Sequence, residues 1–294
     1  MKTKFEKIYV ISLIYNKERQ LFIKKQLNEL GLEFEFVYGI DYFNIKTDRF
    51  GNVINYPDLT LSTNGDEVVD HLDNDKMYGC GMSHYRAVLQ AYELGYNNIL
   101  IIEDDICFIK DINMINNYLN NIPNDADYVT YSSRFMEPKE YQLFLKYQKI
   151  FYSDDPKFIK ISNKYSTLCG TMMYGLMNRK TMKLYLDNQH KRFCVPDWIN
   201  GIYKNPKIKR YTTLHAICLD QYHVLKYNNA KNIVSTCNNY DFCYEQCNIV
   251  NDYNNFNIPS IYNISNINKK LESNVDKNQR QIDTFEFIDE DEII

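Results

Sequence analysis

The sequence places three carboxylates in a row, Glu103, Asp104 and Asp105, which could together bind a cation. Carboxylates this close repel one another, and keeping them ionised is costly unless a cation lies among them. Their oxygen atoms suit Mg²⁺ or Mn²⁺, and such ions often accompany a phosphate-bearing substrate. The alternative interpretation is a solvated acidic turn after a core strand.

The acidic residues follow a short aliphatic run, residues 99–102. Such a run predicts a strand that is buried on both faces of a mainly parallel sheet. Side chains alternate along a strand, so Glu103 and Asp105 are expected on one face and Asp104 on the other. Ligands bind at strand ends in open α/β sheets, which makes this strand the element that positions the chemistry.

Strands and helices alternate on both sides of the acidic strand. Residues 7–38 predict a β-α-β unit with parallel strands: a strand over 7–13, a helix over 17–30 and a strand over 34–38. A helix from Ser83 to residue 94 is expected to lead into the acidic strand. The later elements predicted are strands over 127–131 and 168–176 and helices over 138–147 and 178–186. This alternation predicts a three-layer α/β domain.

The chain divides by composition into a long folded part and a polar end. We predict one domain over residues 1–250 and an Asn-rich, acidic extension over residues 251–294. Residues 42–76 are polar and turn-rich, and we interpret them as a long excursion from the domain.

Composition excludes several classes of protein. A net charge of -4 gives no basis for binding nucleic acid. The apolar segment near the N-terminus covers only residues 8–14, too short for a signal peptide, and no later run could span a membrane. The eight cysteines are dispersed, as expected of reduced thiols, and the cluster of Cys237, Cys243 and Cys247 matches no common zinc spacing. These features predict a cytoplasmic protein without an integral membrane segment.

Several segments, in order, carry a family's motifs. Residues 79–84 (GCGMSH) match G-x-x-x-S-H, and residues 100–105 (LIIEDD) match L-x-x-E-D-D. Residues 11–19 (ISLIYNKER) are similar to I-N-L-D-R-x-x-D/E-R, with Ser12 and Ile14 in place of Asn and Asp. Residues 170–174 (GTMMY) and 195–198 (VPDW) fit two later elements. Over residues 7–225 the chain thus resembles glycosyltransferase family 25, which includes lipooligosaccharide and procollagen galactosyltransferases.

The resemblance implies a fold and a reaction. The fold is α/β, a GT-A-like three-layer sandwich with a mainly parallel central sheet. The reaction moves galactose or glucose from a UDP-sugar donor to a hydroxyl of a glycan or of a hydroxylated protein. Mn²⁺ or Mg²⁺ would stabilise the charge of the departing nucleoside diphosphate.

The same resemblance assigns the cation to the acidic residues. Asp105 is the principal metal ligand, and Glu103 either shares the ion or contacts the ribose of the donor. Asp104 contacts the donor or holds the loop in place. His215 and His223 are candidates to complete the metal site, although a structural histidine is the alternative for both.

Three residues from the first motifs are candidate donor contacts. Arg19 could pair with a donor phosphate or stack on the base, or it could form a surface ion pair. Ser83 could contact the donor or cap the helix that follows it. His84 could hydrogen-bond the diphosphate or a sugar hydroxyl, or make a purely structural hydrogen bond.

The resemblance also implies inversion at the anomeric carbon, and an inverting reaction requires a base for the acceptor hydroxyl. Asp197 is the first candidate, because Trp198 beside it could stack on an acceptor ring, and a helix N-cap is its structural alternative. Asp220 is the second candidate.

Two other functions are compatible with parts of this sequence pattern. A haloacid-dehalogenase-like phosphatase also ends a strand in D-x-D, but its first carboxylate must be Asp and this chain has Glu103. A catalytically inactive nucleotide-sugar or glycan-binding protein on the same fold is the remaining alternative.

Overall fold

A mixed sheet of seven strands organises the chain in the computed structural model, which describes residues 3–40, 71–132, 134–135, 158–161, 168–169, 172–189, 207–221, 224, 245–246 and 256–257. The elements in chain order are β1 (Lys7–Ser12), α1 (Lys17–Glu29), β2 (Glu35–Tyr38), α2 (His71–Glu93), β3 (Ile99–Glu103), β4 (Ile106–Phe108), α3 (Ile112–Asn120), β5 (Tyr128–Thr130), β6 (Arg134–Phe135), β7 (Phe158–Ile161), β8 (Leu168–Cys169), β9 (Met173–Leu176), α4 (Arg179–Gln189), β10 (Arg210–Thr213), β11 (Cys218–Asp220) and β12 (Glu245–Gln246).

The large sheet has the strand order β2-β1-β3-β9-β5-β10-β7. Strands β1, β2, β3, β5 and β10 run in one direction, whereas β7 and β9 run in the other. Two small sheets lie beside it, one of β4 with β11 and one of β12, β6 and β8. The sheet is therefore mainly parallel, as predicted.

Both faces of the sheet are covered. Ile8 and Val10 of β1 pack in one hydrophobic cluster with residues of α1 and α3, and Tyr9 and Ile11 pack in another with residues of α2 and α4. Strand β3 alternates in the same way between the two clusters. This alternation explains why its sequence is aliphatic throughout, and it confirms the three-layer α/β class.

The first β-α-β unit is as predicted. Strands β1 and β2 are parallel, with Tyr9 opposite Glu35. Helix α1 buries an apolar face that includes Phe22, Ile23 and Leu27. Gly31, at a φ of 63°, follows the helix in the left-handed conformation that glycine adopts without steric cost. The turn after β1 and the start of α1 thus meet at the carboxyl edge of the sheet.

Two predicted elements were wrong in their bounds. Helix α2 begins at His71 and not at Ser83, because packing on α4 and on β1, β2 and β3 outweighs the low helix propensity of Gly79 and Gly81. In place of one strand over 168–176, the described residues form two strands in different sheets, β8 over Leu168–Cys169 and β9 over Met173–Leu176. An apolar run does not reveal such a break, because both pieces have strand-like composition.

Some predictions fall outside the described residues, including the helix over 138–147 and residues 42–70 of the excursion. The domain boundary at residue 250 stays a prediction; beyond it, Phe256 is buried in the core and pairs with Ile109. None of the helices in the described part of the chain is both long and apolar enough to cross a membrane.

Candidate active site

The acidic residues lie where β3 leaves the sheet. Strand β3 ends at Glu103, and Asp104 and Asp105 form the turn that leads to β4. Alternation along a strand does not extend into a turn, so the expected opposition of Asp104 and Asp105 is wrong. Both carboxylates instead contact Arg19 of α1, whose Nη1 lies 3.4 Å from Asp104 Oδ1 and 3.2 Å from Asp105 Oδ2.

Asp104 anchors this turn. It is buried, and its Oδ2 accepts a hydrogen bond of 2.6 Å from Ser12 Oγ. Ser12 Oγ in turn accepts from Gln20 Nε2 at 3.1 Å, and the Asp104 amide donates to the Ile11 carbonyl. Burial raises the pKa of the Asp104 carboxyl, while the charge of Arg19 and the hydrogen bond from Ser12 act in the opposite direction. Asp104 thus ties the turn to the end of β1.

Asp105 is the carboxylate that fits a cation best. Its Oδ1 is buried and has no hydrogen-bond partner among the described residues. Burial raises the pKa of its carboxyl to about 7; Arg19 opposes this rise, and the charges of Glu103, Asp104 and Asp220 add to it. A cation beside Asp105 would lower this pKa and satisfy the orphaned oxygen. The two small strands bring Asp220 close: it is buried opposite Ile106, and the next amide, of Gln221, donates to the Asp105 carbonyl at 2.7 Å.

His84 and Glu103 form a second cluster on α2 and β3. His84 is buried within α2 and not at its start, and both ring nitrogens have partners: Nδ1 lies 2.9 Å from Tyr174 Oη and Nε2 lies 3.0 Å from Glu103 Oε1. The Tyr174 ring also stacks on the imidazole. Cys80, one helical turn before His84, places its sulfur close to both groups, since the three ligand atoms lie within 4.8 Å of one another.

Ser83 joins α2 to the end of β2. Its hydroxyl donates to the Gly79 carbonyl at 2.6 Å, one helical turn earlier, and accepts from the Ile40 amide at 2.8 Å. Because α2 begins at His71, Ser83 is not an N-cap, and that structural alternative was wrong. Gly39 lies so close that a methyl group on it would come within 2.9 Å of Ser83 Oγ.

The structure does not bring every predicted residue to this edge. His215 lies before β11, and its amide donates to Tyr118 Oη on α3. Because β11 pairs with β4 in the antiparallel sense, Asp220 is the end of β11 that reaches the acidic turn, and His215 lies beyond the other end. Asp197, Trp198 and His223 lie outside the described residues.

Three residues of the candidate site were not predicted from the sequence. Cys80 and Tyr174 lie inside motifs that were recognised, but only a helix beginning before Cys80 shows that Cys80 and His84 share a face four residues apart. Gln20 carries no motif signal; its role as the partner of Ser12 appears only when α1 is docked against β1.

No curated protein matches the sequence. One solved structure that resembles the chain is a glycosyltransferase involved in the glycosylation of the major capsid of PBCV-1; it is 11% identical, with alignment over 70% of this chain and 80% of that one and a TM-score of 0.35. The profile of glycosyltransferase family 25, described as an LPS biosynthesis protein, matches residues 5–197. The chain therefore belongs to glycosyltransferase family 25, and the family resemblance seen in its motifs is confirmed.

Proposed function

We propose that this glycosyltransferase moves galactose or glucose from a UDP-sugar to a hydroxyl group of a glycan or a hydroxylated protein, with a divalent cation at Asp105 and Glu103. Family membership supports sugar transfer. The family description, an LPS biosynthesis protein, supports a glycan as the first acceptor to test.

The proposed cation is supported mainly by the burial of the Asp105 carboxylate. A buried carboxylate oxygen without a partner, on a residue whose pKa is raised to about 7, is costly in the ionised form. Carboxylate oxygens are ligands that Mn²⁺ and Mg²⁺ accept. When bound, the cation would neutralise charge on the departing UDP.

Arg19 is the residue proposed to bind the diphosphate. Its side chain is 30% exposed, and its Nη1 contacts the carboxylates of both Asp104 and Asp105. Arginine can bind phosphate oxygens through two N–H groups at once, and a cation at Asp105 would replace Arg19 as the counter-charge of the carboxylates. Asp104, Ser83 and His84 contribute here as positioning residues, because their polar atoms contact protein groups. Asp104 accepts from Ser12 of β1, Ser83 accepts from the Ile40 amide just after β2, and His84 contacts Glu103.

The base that takes the acceptor proton is proposed to be Asp197, in an inverting reaction. Asp220 is only 3% exposed, which leaves little surface for an acceptor hydroxyl. Its charge acts on Asp105 instead, so Asp220 is better suited to supporting that carboxylate. Replacement of Asp197 by Asn should therefore lower kcat strongly while leaving the affinity for UDP nearly unchanged.

Calorimetric titration of UDP, UDP-galactose and UDP-glucose, each with and without Mn²⁺, tests the proposal. We expect binding that requires Mn²⁺ in the wild type and is lost in Asp105→Asn. Glu29→Gln, which neutralises an exposed carboxylate on α1, is the matched control and should bind like the wild type.

Full Mn²⁺-dependent binding by Asp105→Asn would overturn the cation assignment. Binding of a donor without hydrolysis or transfer to any acceptor would instead favour a catalytically inactive nucleotide-sugar-binding protein. Absence of binding for all three nucleotides would exclude a UDP-sugar donor.

A further inference from the structure

The cluster of Cys80, His84 and Glu103 has the composition of a transition-metal site. A thiol, an imidazole and a carboxylate converge from two elements, since Cys80 and His84 lie one turn apart on α2 and Glu103 ends β3. Their ligand atoms lie within 4.8 Å of one another, and His84 Nε2 is 3.0 Å from Glu103 Oε1. Ligand atoms around tetrahedral zinc are about 3.3–3.7 Å apart, so small side-chain movements would complete the geometry.

Tyr174 holds the imidazole of His84 in place, because its Oη lies 2.9 Å from Nδ1. When His84 Nδ1 carries the proton and donates it to Tyr174 Oη, Nε2 presents a lone pair toward Glu103. A cation bound there would take up this lone pair together with an oxygen of Glu103, whose Oε1 lies 3.0 Å from Nε2. Histidines that bind metal usually hold their second ring nitrogen in a hydrogen bond, and Tyr174 Oη can supply that partner here.

The donor atoms also select the kind of metal. Thiolate and imidazole favour Zn²⁺ over Mn²⁺ and Mg²⁺, which prefer oxygen ligands. His84 is 1% exposed, Glu103 is 22% exposed and Cys80 is partly buried, so an ion bound by them would be shielded from bulk water. We propose that Cys80, His84 and Glu103 bind a thiophilic divalent cation of the Zn²⁺ class, at a site distinct from the all-oxygen site at Asp105.

This site stands apart from the proposed function, although the two share Glu103. A thiophilic ion would bind whether or not the chain uses a UDP-sugar. If both cations bind, they compete for one carboxylate, and Zn²⁺ would withdraw Glu103 from the ion at Asp105.

The test uses the full-length chain, stripped of metal by a chelator and titrated with Co²⁺. Cobalt bound to a thiolate gives a charge-transfer band in the near ultraviolet, and Zn²⁺ should then displace the cobalt. We expect the band in the wild type and in Asp105→Asn, which keeps the thiol cluster, and its loss in Cys80→Ser. The chain holds eight cysteines, so a band that persists in Cys80→Ser would assign the thiolate elsewhere and overturn the proposal.

Tyr174→Phe provides a second variant that preserves the size of the buried ring. Loss of the Oη contact should weaken Zn²⁺ binding by about 10–100-fold. Unchanged affinity, or no cobalt band in the wild type, would show that these residues do not form the site.

The two proposals fail in different ways. Mn²⁺-dependent UDP-sugar binding without a cobalt–thiolate band contradicts the thiophilic site alone. A band that depends on Cys80, in a chain that binds no UDP-sugar, contradicts the proposed function alone.

Discussion

Arg19 compensates two carboxylates that differ in their surroundings. Asp104 has a second donor in Ser12, whereas Asp105 has a buried oxygen without a partner among the described residues. One guanidinium 3.2–3.4 Å from both cannot offset the burial of both charges, and the pKa values of both carboxyls are raised. The turn therefore holds one carboxylate, Asp104, that protein hydrogen bonds fix in place, and another, Asp105, whose charge a bound cation would stabilise.

Asp105 should make the stability of the metal-free protein depend on pH. Its pKa is about 7 in the fold and about 3.9 in an unfolded chain, so the folded state binds the proton more tightly. This stabilisation is complete below about pH 4 and is lost as the pH rises through about 7. We expect wild type to lose up to about 3 kcal/mol more than Asp105→Asn between about pH 5 and pH 8, measured by urea unfolding with a chelator present.

Mn²⁺ provides the control for that measurement. At about pH 8, excess Mn²⁺ should stabilise the wild type and leave Asp105→Asn unchanged, because a ligand stabilises only the state that binds it. Equal pH dependence of the two proteins would show that Asp105 ionises normally.

Strand β4 is held by partners outside the large sheet. The Gln26 side chain of α1 acts as a strand edge: its Nε2 donates to the Ile106 carbonyl at 3.1 Å, and its Oε1 accepts from the Phe108 amide at 2.8 Å. On another side, β4 pairs with β11, which carries Asp220. The position of Asp105 therefore depends on the docking of α1.

Gln26→Leu should leave both backbone groups of β4 without their partner. Two unsatisfied buried groups correspond to a loss of about 2–4 kcal/mol in the free energy of unfolding, measured with urea. Hydrogen exchange should also show reduced protection of the Phe108 amide. Asn28→Leu, an amide-to-leucine change on the exposed face of the same helix, should stay within about 0.5 kcal/mol of wild type. Equal stability of the two variants would show that water replaces the side chain of Gln26.

The fold was predicted most accurately where the hydrophobic residues of an element follow a simple pattern. The aliphatic run of β3 and the unit β1-α1-β2 were predicted correctly because burial on two faces leaves a plain pattern. The start of α2 was predicted wrongly, because tertiary packing outweighed the low helix propensity of Gly79 and Gly81. In the candidate site, the acidic turn was visible, but Cys80 became a candidate ligand only once the helix was known.

The return of the chain to its core was also invisible in the sequence. Residues 251–294 are polar in composition, yet Phe256 is 2% exposed and pairs with Ile109, and the Asn257 amide donates to the Phe108 carbonyl at 2.8 Å. Phe256 stands between two asparagines, so its immediate neighbours carry no apolar pattern that marks it as buried. Phe256 and Asn257 thus help to hold β4 and, through it, the turn at Asp105.

Phe256→Ala should therefore destabilise the protein as a core substitution does. Removal of a buried aromatic ring leaves a cavity beside Ile109, and we expect a loss of about 3–5 kcal/mol in urea unfolding. Tyr38→Ala, at a ring that is 42% exposed, is the control and should change stability by less than about 1 kcal/mol. Deletion of residues 251–294 should be at least as harmful as Phe256→Ala, because it removes the ring and the Asn257 hydrogen bond together. If the deletion leaves stability unchanged, residues 251–294 are an independent extension, and β4 is held by α1 and β11 without them.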